Sequence, residues 1–220
     1  MKDFFWGIQL RIVKRWTRSG IDDFLKFHLM SRNSQTKVLV IGGFGPILEH
    51  IKKYNFNLTT LDINPNHYPD LLMDLSSKDV IEKVKAKYDF VVLMEVLEHI
   101  PEYQHALRNV YYLLNENGIL LGSTPWVIPI HDYPNDYHRF TNFELERILV
   151  QFNFNEIEIN SRGSFFQSWV ALSLRGFFDK KFTNKVLSVG IGILSFFLTK
   201  PKLTDLQNIS TIGYVFSAKK

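Results

Sequence analysis

The sequence predicts an α/β fold: a mainly parallel sheet covered by helices on both faces. Three observations carry that expectation. Short apolar runs alternate with amphipathic stretches from Lys37 to about residue 160, the pattern of strand-helix repeats. The runs, YDFVVLM at 88–94 above all, are almost continuously apolar, as strands buried on both faces must be. The residues of chemical interest (Gly42, Asp62, Asp74, Glu95 and the loop after Pro125) fall at the ends of those runs, where open α/β sheets bind ligands.

Taken in order, residues 3–17 and 21–31 read as helices separated by Ser19-Gly20. KVLVIGGFGP, from Lys37, reads as a strand and a tight glycine turn, and a helix pattern follows from Ile47 to Tyr54. LTTLDINP contains a second strand ending at Asp62, and DLLMDL a third ending near Asp74. Residues 77–87 look helical, and YDFVVLM is the fourth strand. Residues 102–115 place Tyr103, Ala106, Leu107, Val110, Leu113 and Leu114 on one helix face. GILLGSTP is the fifth strand, Thr141 is a fitting N-cap for a helix at 142–152, FNEIEIN is the sixth strand and STIGYVFSAKK the last.

Length and composition bound the rest. The 220 residues make one domain with an elaboration, and an apolar content of 45% supports a sizeable core. The absence of cysteine excludes disulfides, thiolate metal sites and cysteine nucleophiles. Arg11, Lys14 and Arg15 stand where a signal peptide needs its apolar run, so a cytoplasmic protein is expected. Residues 1–36 form a basic helical head (seven Lys/Arg against three Asp/Glu), and the main domain runs from 37 to 220. Residues 37–160 are acidic (ten against seventeen) and 161–220 basic (nine against two). Before the last strand, about 165–202 reads as a helical insertion; its apolar stretch Val186–Leu198, flanked by Lys185, Lys200 and Lys202, is too short to span a bilayer. Two readings of it stay open, a buried lid over the substrate pocket and an interfacial segment making a peripheral contact with anionic lipid.

Glycines after the first strand let a ligand approach the backbone, and Asp62, twenty residues beyond Gly42, stands where a carboxylate accepts ribose hydroxyls. The pair points to a nucleoside-containing cofactor; a structural turn with a capping Asp62 is the competing reading. Gly43-Phe44-Gly45 is followed by Pro46, Ile47 and Leu48, so the third glycine of a dinucleotide fingerprint is missing. That argues against a nicotinamide dehydrogenase.

MEVLEHIPE after the fourth strand, LNENGILLGSTP and HDYPNDYHRFT complete the text. Together they resemble the class I S-adenosylmethionine-dependent methyltransferases, in particular a bacterial group with an LEH-x-P segment after strand four and an H-x-x-P-x-D-Y-x-R-F-T segment after strand five. The resemblance covers about residues 35–160 and resumes in the last strand. It implies a Rossmann-like, seven-stranded, mainly parallel sheet with an antiparallel last strand, here with helical N-terminal and C-terminal elaborations, and S-adenosyl-L-methionine as cofactor. It also implies that Gly42, Gly43 and Gly45 cradle the cofactor, that Asp62 accepts from the ribose, and that Ile63 packs beside the adenine. Asp74 would accept from the adenine amino group, Leu75 would supply backbone, and Met94, Glu95 and His99 would form the wall after strand four. Val40 stands where the family carries an acid, and Phe44 and Pro46 replace its second and third glycines.

The 131–141 loop should lie across the mouth of the site. A hydroxyl acceptor must lose a proton, and histidine suits that work. His131 is the first candidate base; His138 and Asp136 are the next. Arg139 pairs with Asp136 or with an anionic substrate group, and Arg139 and Thr141 anchor the loop. His99 is an orienting group or a catalytic one. His131, Asp132, Asp136 and His138, or Glu95 and Glu98, are metal-ligating types without a spacing that demands an ion, and no metal is assigned. The acceptor is expected to be a small molecule, a glycan or a lipid-linked molecule, methylated on oxygen, with nitrogen the alternative. An N/D-P-P-Y/F segment is missing after strand four, which argues against nucleic acid. The competing class is a non-catalytic, methyltransferase-like binding module at the membrane surface: Val40 and the broken glycine pattern speak for it, Asp62, Asp74 and EVLEH against it. The sequence names neither acceptor nor oligomeric state.

Overall fold

The structure is a computed structural model that describes residues 18, 20–163, 168, 172, 190 and 211–220. The helix expected over 3–17 and all but three residues of the 165–202 insertion lie outside the described residues, and so do the two readings of that insertion.

The first described helix, α1 (Ile21–Leu29), buries Ile21, Leu25 and Leu29 at four-residue spacing and carries Asp22 and Asp23 in its first turn, where the helix dipole favours them. Then follow β1 (Lys37–Ile41), α2 (Gly45–Lys52), β2 (Asn57–Asp62), a short β3 (Leu71–Leu72), α3 (Val80–Lys83), β4 (Tyr88–Met94), α4 (Tyr103–Leu113), β5 (Leu114–Pro125), α5 (Asn142–Gln151), β6 (Asn155–Arg162) and β7 (Gly213–Lys219). The seven strands form one sheet in the order β3-β2-β1-β4-β5-β7-β6. β7 is antiparallel to both β5 and β6, and the pairings among β1 to β5 are parallel. The mainly parallel sheet with an antiparallel last strand is therefore observed.

Alternation along the strands splits the core into two layers. Leu39, Ile41, Val91 and Leu93 face a cluster with Ala106, Leu107, Val110 and Leu113 of α4 and Leu145, Ile148 and Leu149 of α5. Val38, Val40, Phe90, Val92 and Met94 face Ile21, Leu25 and Leu29 of α1 and Leu48 and Ile51 of α2. Val40, at the position where the family resemblance puts an acid, is 1% exposed and belongs to this second layer.

Boundaries shift where backbone geometry overrides the hydrophobic pattern. The helix expected over 77–87 is the single turn of α3, because Val84 leaves helical geometry to carry the chain into β4. The helix expected to reach 115 stops at Leu113; Leu114 is already extended and pairs with Tyr88, so β5 starts four residues earlier than expected. Thr141 does cap α5, its Oγ1 accepting from the Glu144 N–H at 3.1 Å. Among the described residues no helix is long and apolar enough to cross a membrane.

Gly122 of β5 lies opposite Phe216 of β7, and a Cβ built on it would fall 2.1 Å from the buried Phe216 ring. We expect Gly122→Ala to destabilise the protein by about 1–3 kcal/mol, the usual cost of overpacking a closed core. Urea unfolding of both proteins checks this; Phe216→Leu in the same background should recover part of the loss.

Candidate active site

The strand order reverses between β1 and β4, and a cleft of about 170 Å³ opens at their carboxyl ends. Gly42, Asp62, Ile63, Asp74, Leu75 and His99 line it. A larger hollow of about 250 Å³ lies beside Arg32, Asp89 and Gly118, at the other end of the strands and away from these residues.

The glycine turn is built by close approach. Gly42 has φ +66°, and its N–H donates to the Leu61 carbonyl at 2.9 Å. A Cβ there would stand 2.7 Å from Val96 Cγ2, and one on Gly43 would stand 2.7 Å from Thr60 Cβ. Pro46 sits in the first turn of α2, where its missing N–H has no intrahelical partner to lose. Phe44 lays its ring on His67 with centroids 3.8 Å apart.

Asp62 ends β2 nearly buried. Its Oδ1 accepts from the Asn64 N–H at 2.8 Å, and its Oδ2 stands 2.8 Å from His67 Nδ1. Two oxygens offer about four acceptor sites, so capacity for a diol remains after both contacts. The two readings of Asp62, turn former and ligand acceptor, are thus compatible. Ile63 is 68% exposed beside it. Asp74 is exposed, with Oδ1 taken up by Ser76 N–H and Oγ–H at 2.8 and 2.7 Å. The Leu75 carbonyl accepts from Asn109 Nδ2 at 2.7 Å, which fixes the cleft's floor.

After β4 the chain turns sharply. Met94 is buried in the α2 layer. Glu95 has φ +54°, outside the favoured range of a residue with a side chain. Its N–H donates to the Ser123 carbonyl at 3.0 Å. Its Oε1 accepts from Ser123 Oγ at 2.8 Å and from Arg162 Nη2 at 2.6 Å. Glu95 is therefore bound chiefly to the scaffold.

A short 3₁₀ turn over Leu97–His99 follows, and the 131–138 loop docks on it. The Glu98 carbonyl accepts from the N–H groups of Tyr137 and His138 at 3.0 and 3.2 Å. His99 Nδ1 donates to the Asn135 carbonyl at 2.6 Å. Asp136 is held in a two-pronged contact with Arg139 at 2.5 and 2.7 Å, and it accepts from the His131 backbone N–H at 3.0 Å. Burial would raise the Asp136 carboxyl, but Arg139 and His131 lower it to about 2.

These contacts bring His131 Nε2 and His99 Nε2 to 3.7 and 3.6 Å from Glu98 Oε1. The rings of His99 and His131 meet edge to face at 4.8 Å. Glu98 is fully buried, and burial pushes its carboxyl up against the pull of His131 and His99. Burial lowers the His131 imidazole, yet Glu98 and Asp136 outweigh it and raise it above its ordinary value.

Of the three candidate catalytic residues, His131 faces this cluster and Asp136 stands behind it, 3.2 Å from His131 Nδ1. His138 is placed elsewhere: Nε2 lies 3.3 Å from the Pro101 carbonyl, and the ring packs on Tyr103 and Phe140. Asp132 is absent from the His99–Glu98–His131 group. Sequence reasoning gave no weight to His67 or Arg162 and little to Glu98. The only signal for Glu98 was its place inside LEH; for His67, its place five residues after Asp62.

Sheet order, glycine turn and a carboxylate closing β2 define an α/β protein with a ligand cleft at the switch point of its sheet. The chain belongs to the methyltransferase-domain family, whose model matches residues 13–159, about two-thirds of the 220 residues. That membership favours an enzyme over the non-catalytic alternative. No curated protein matches the chain. Among solved structures, a SAM-dependent methyltransferase from Archaeoglobus fulgidus is 16% identical, with a TM-score of 0.58 over 91% of this chain and 93% of its own. Phosphoethanolamine N-methyltransferase 2 of Haemonchus contortus is 14% identical, with a TM-score of 0.60 over 96% of this chain and 57% of its own. The 1,6-didemethyltoxoflavin-N1-methyltransferase of Burkholderia thailandensis is 15% identical, with a TM-score of 0.56 over 100% and 89%. At such identities the likeness is one of fold.

The Glu95–Arg162 pair can be tested apart from chemistry. Arg162 is 1% exposed and Glu95 16%. Glu95→Ala should cost about 3–5 kcal/mol in urea unfolding, the scale for removing one partner of a buried ion pair. A loss below about 1 kcal/mol, the value of a surface pair, would contradict the burial.

Proposed function

We propose that the protein transfers a methyl group from S-adenosylmethionine to an oxygen of a small-molecule, glycan or lipid-linked acceptor. When bound, the cofactor supplies an electrophilic methyl carbon on a sulfonium, which passes to the acceptor oxygen as sulfur recovers the bonding pair. The residues present fit that cofactor. Gly42 and Gly43 keep side chains out of the turn, Asp62 offers acceptor capacity to the ribose, and Ile63, Asp74 and Leu75 line the adenine end of the cleft. His99 lines the far side; Met94, in the core, and Glu95, bonded to Ser123 and Arg162, act only through the scaffold.

The observation that carries the oxygen acceptor is the oriented imidazole at the mouth. His131 has a carboxylate near each ring nitrogen, Asp136 at 3.2 Å and Glu98 at 3.7 Å. Such a ring can take a hydroxyl proton through one nitrogen, and the two carboxylates stabilise the imidazolium that forms. His99 connects it to the cleft, touching His131 on one side and lining the pocket on the other. Asp136 acts by holding the loop and the ring, and His138 by fastening the loop to Pro101.

Two measurements test this reading. Asp62→Ala should weaken S-adenosylmethionine binding by about 1.5–3 kcal/mol, the value of hydrogen bonds to a charged acceptor; an unchanged dissociation constant in calorimetry would remove the ribose assignment. His131→Ala should cut turnover by about two to four orders of magnitude, with cofactor affinity nearly intact. The assay is methyl transfer to a panel of free and lipid-linked glycans and small hydroxylated molecules. Full activity in His131→Ala, or a product methylated on nitrogen, would overturn the oxygen-directed reading.

A further inference from the structure

We propose that Glu98, His99 and His131 bind one divalent first-row transition-metal ion, of the zinc or cobalt type, at the mouth of the cofactor cleft. The inference deepens the methyltransferase reading and rests on it only for the ion's use, since binding itself needs no acceptor.

Donor chemistry comes first. Two imidazoles and a carboxylate, with no thiol in the chain, form a set for zinc, iron(II), cobalt or nickel. Calcium and magnesium want a cage of oxygens, and two of these three donors are nitrogen.

The tautomers are set correctly. A carbonyl can only accept, so the 2.6 Å contact with Asn135 puts the His99 proton on Nδ1 and the lone pair on Nε2. His131 Nδ1 faces the Asp136 carboxylate at 3.2 Å, within reach though not aligned as a hydrogen bond. A proton drawn to the carboxylate side would leave Nε2 for a ligand. A backbone carbonyl or carboxylate behind the far ring nitrogen is how metal-binding histidines are held.

Spacing agrees. The two Nε2 atoms lie 3.6 and 3.7 Å from Glu98 Oε1, beyond hydrogen-bond range. A tetrahedral ion with bonds of about 2.0–2.1 Å holds its donors about 3.3–3.4 Å apart. The donor atoms all lie within 4.8 Å of one another, so small side-chain rotations close the set.

The second, independent observation is Glu98 itself. It is 0% exposed, and neither carboxylate oxygen has a hydrogen-bond partner. A buried carboxylate left in that state is costly, and this one has an imidazole Nε2 on each side within 3.7 Å. His99 and His131 are 19% and 35% exposed, so the ion has a path from solvent. Three protein ligands leave a coordination position open, as catalytic metal sites do. An acceptor hydroxyl held there would ionise more readily and release its proton to water; the base role proposed for His131 then belongs to the ion-free protein.

The test uses the full chain, stripped with a chelator and titrated with cobalt(II) alone. Visible absorption of the bound ion gives stoichiometry, and zinc competition gives affinity. We expect one ion per chain. Glu98→Gln and His131→Ala should each weaken binding by at least about tenfold, whereas His50→Ala, on α2, should not. S-adenosylhomocysteine affinity, measured on each variant, certifies the fold. No ion bound by the wild type, or equal affinity in Glu98→Gln and His131→Ala, would overturn the site. Cofactor binding and methyl transfer by a protein that takes up no ion would defeat this inference and leave the methyltransferase reading standing. Ion binding without cofactor binding would support the site and defeat that reading.

Discussion

The ion pair between Arg162, at the end of β6, and Glu95, just past β4, is the constraint on which the site depends. Between them in the sheet lie β5 and β7, and the pair crosses both strands. Gly213 lets it pass: a Cβ there would stand 2.7 Å from Arg162 Nη2. Ser123, on β5, bonds both the backbone and the side chain of Glu95. Glu95 thereby stays at a positive φ that its side chain disfavours. The sharp exit from β4 then sets the next turn, so that Glu98 points inward and His99 sits on the cleft. A pair that looks like plain stability thus determines where Glu98 and His99 stand.

A division of labour follows between the two segments that form the candidate site. The 3₁₀ turn after β4 supplies Glu98 and His99; the loop after β5 supplies His131 and the Asp136–Arg139 clamp. Neither is fixed alone. The loop binds the Glu98 carbonyl through two N–H groups and the His99 ring through the Asn135 carbonyl. Backbone contacts and the Asp136–Arg139 clamp together hold the loop, with the His131 ring left beside Glu98 and His99. Arg139 is spent on Asp136, which weakens its claim as a substrate-anion receptor and strengthens its claim as an anchor.

What was legible in the sequence follows from the range of each signal. Buried strands with unbroken apolar runs, such as 88–94, were readable because burial on both faces removes polar residues. The Thr141 cap was readable because cap and N–H lie three residues apart. The ends of α3 and α4 were not, since the choice between a helix and an early strand depends on what β4 offers Leu114 across the sheet. Glu98 was visible inside LEH yet had no evident role, because its partner His131 lies thirty-three residues on and meets it only through the loop's docking. Arg162 was invisible as a site residue for the same reason, with its partner sixty-seven residues away.

The departures from the family's glycine pattern have local explanations that do not require a lost cofactor. Val40 faces the α1 and α2 layer and supplies core. Pro46 starts α2 where a proline fits. Phe44 stacks on His67, which in turn grips Asp62. The aromatic ring thus replaces glycine's open space with a wall beside the carboxylate, and the methionine end of the cofactor must be held by something other than a third glycine. The polar groups nearest that need are those after β4, where His99 lines the cleft. If His99 carries that role, as proposed, the grip depends on the Glu95–Arg162 tether. The proposed cofactor end and acceptor end of the cleft are then parts of one mechanical unit.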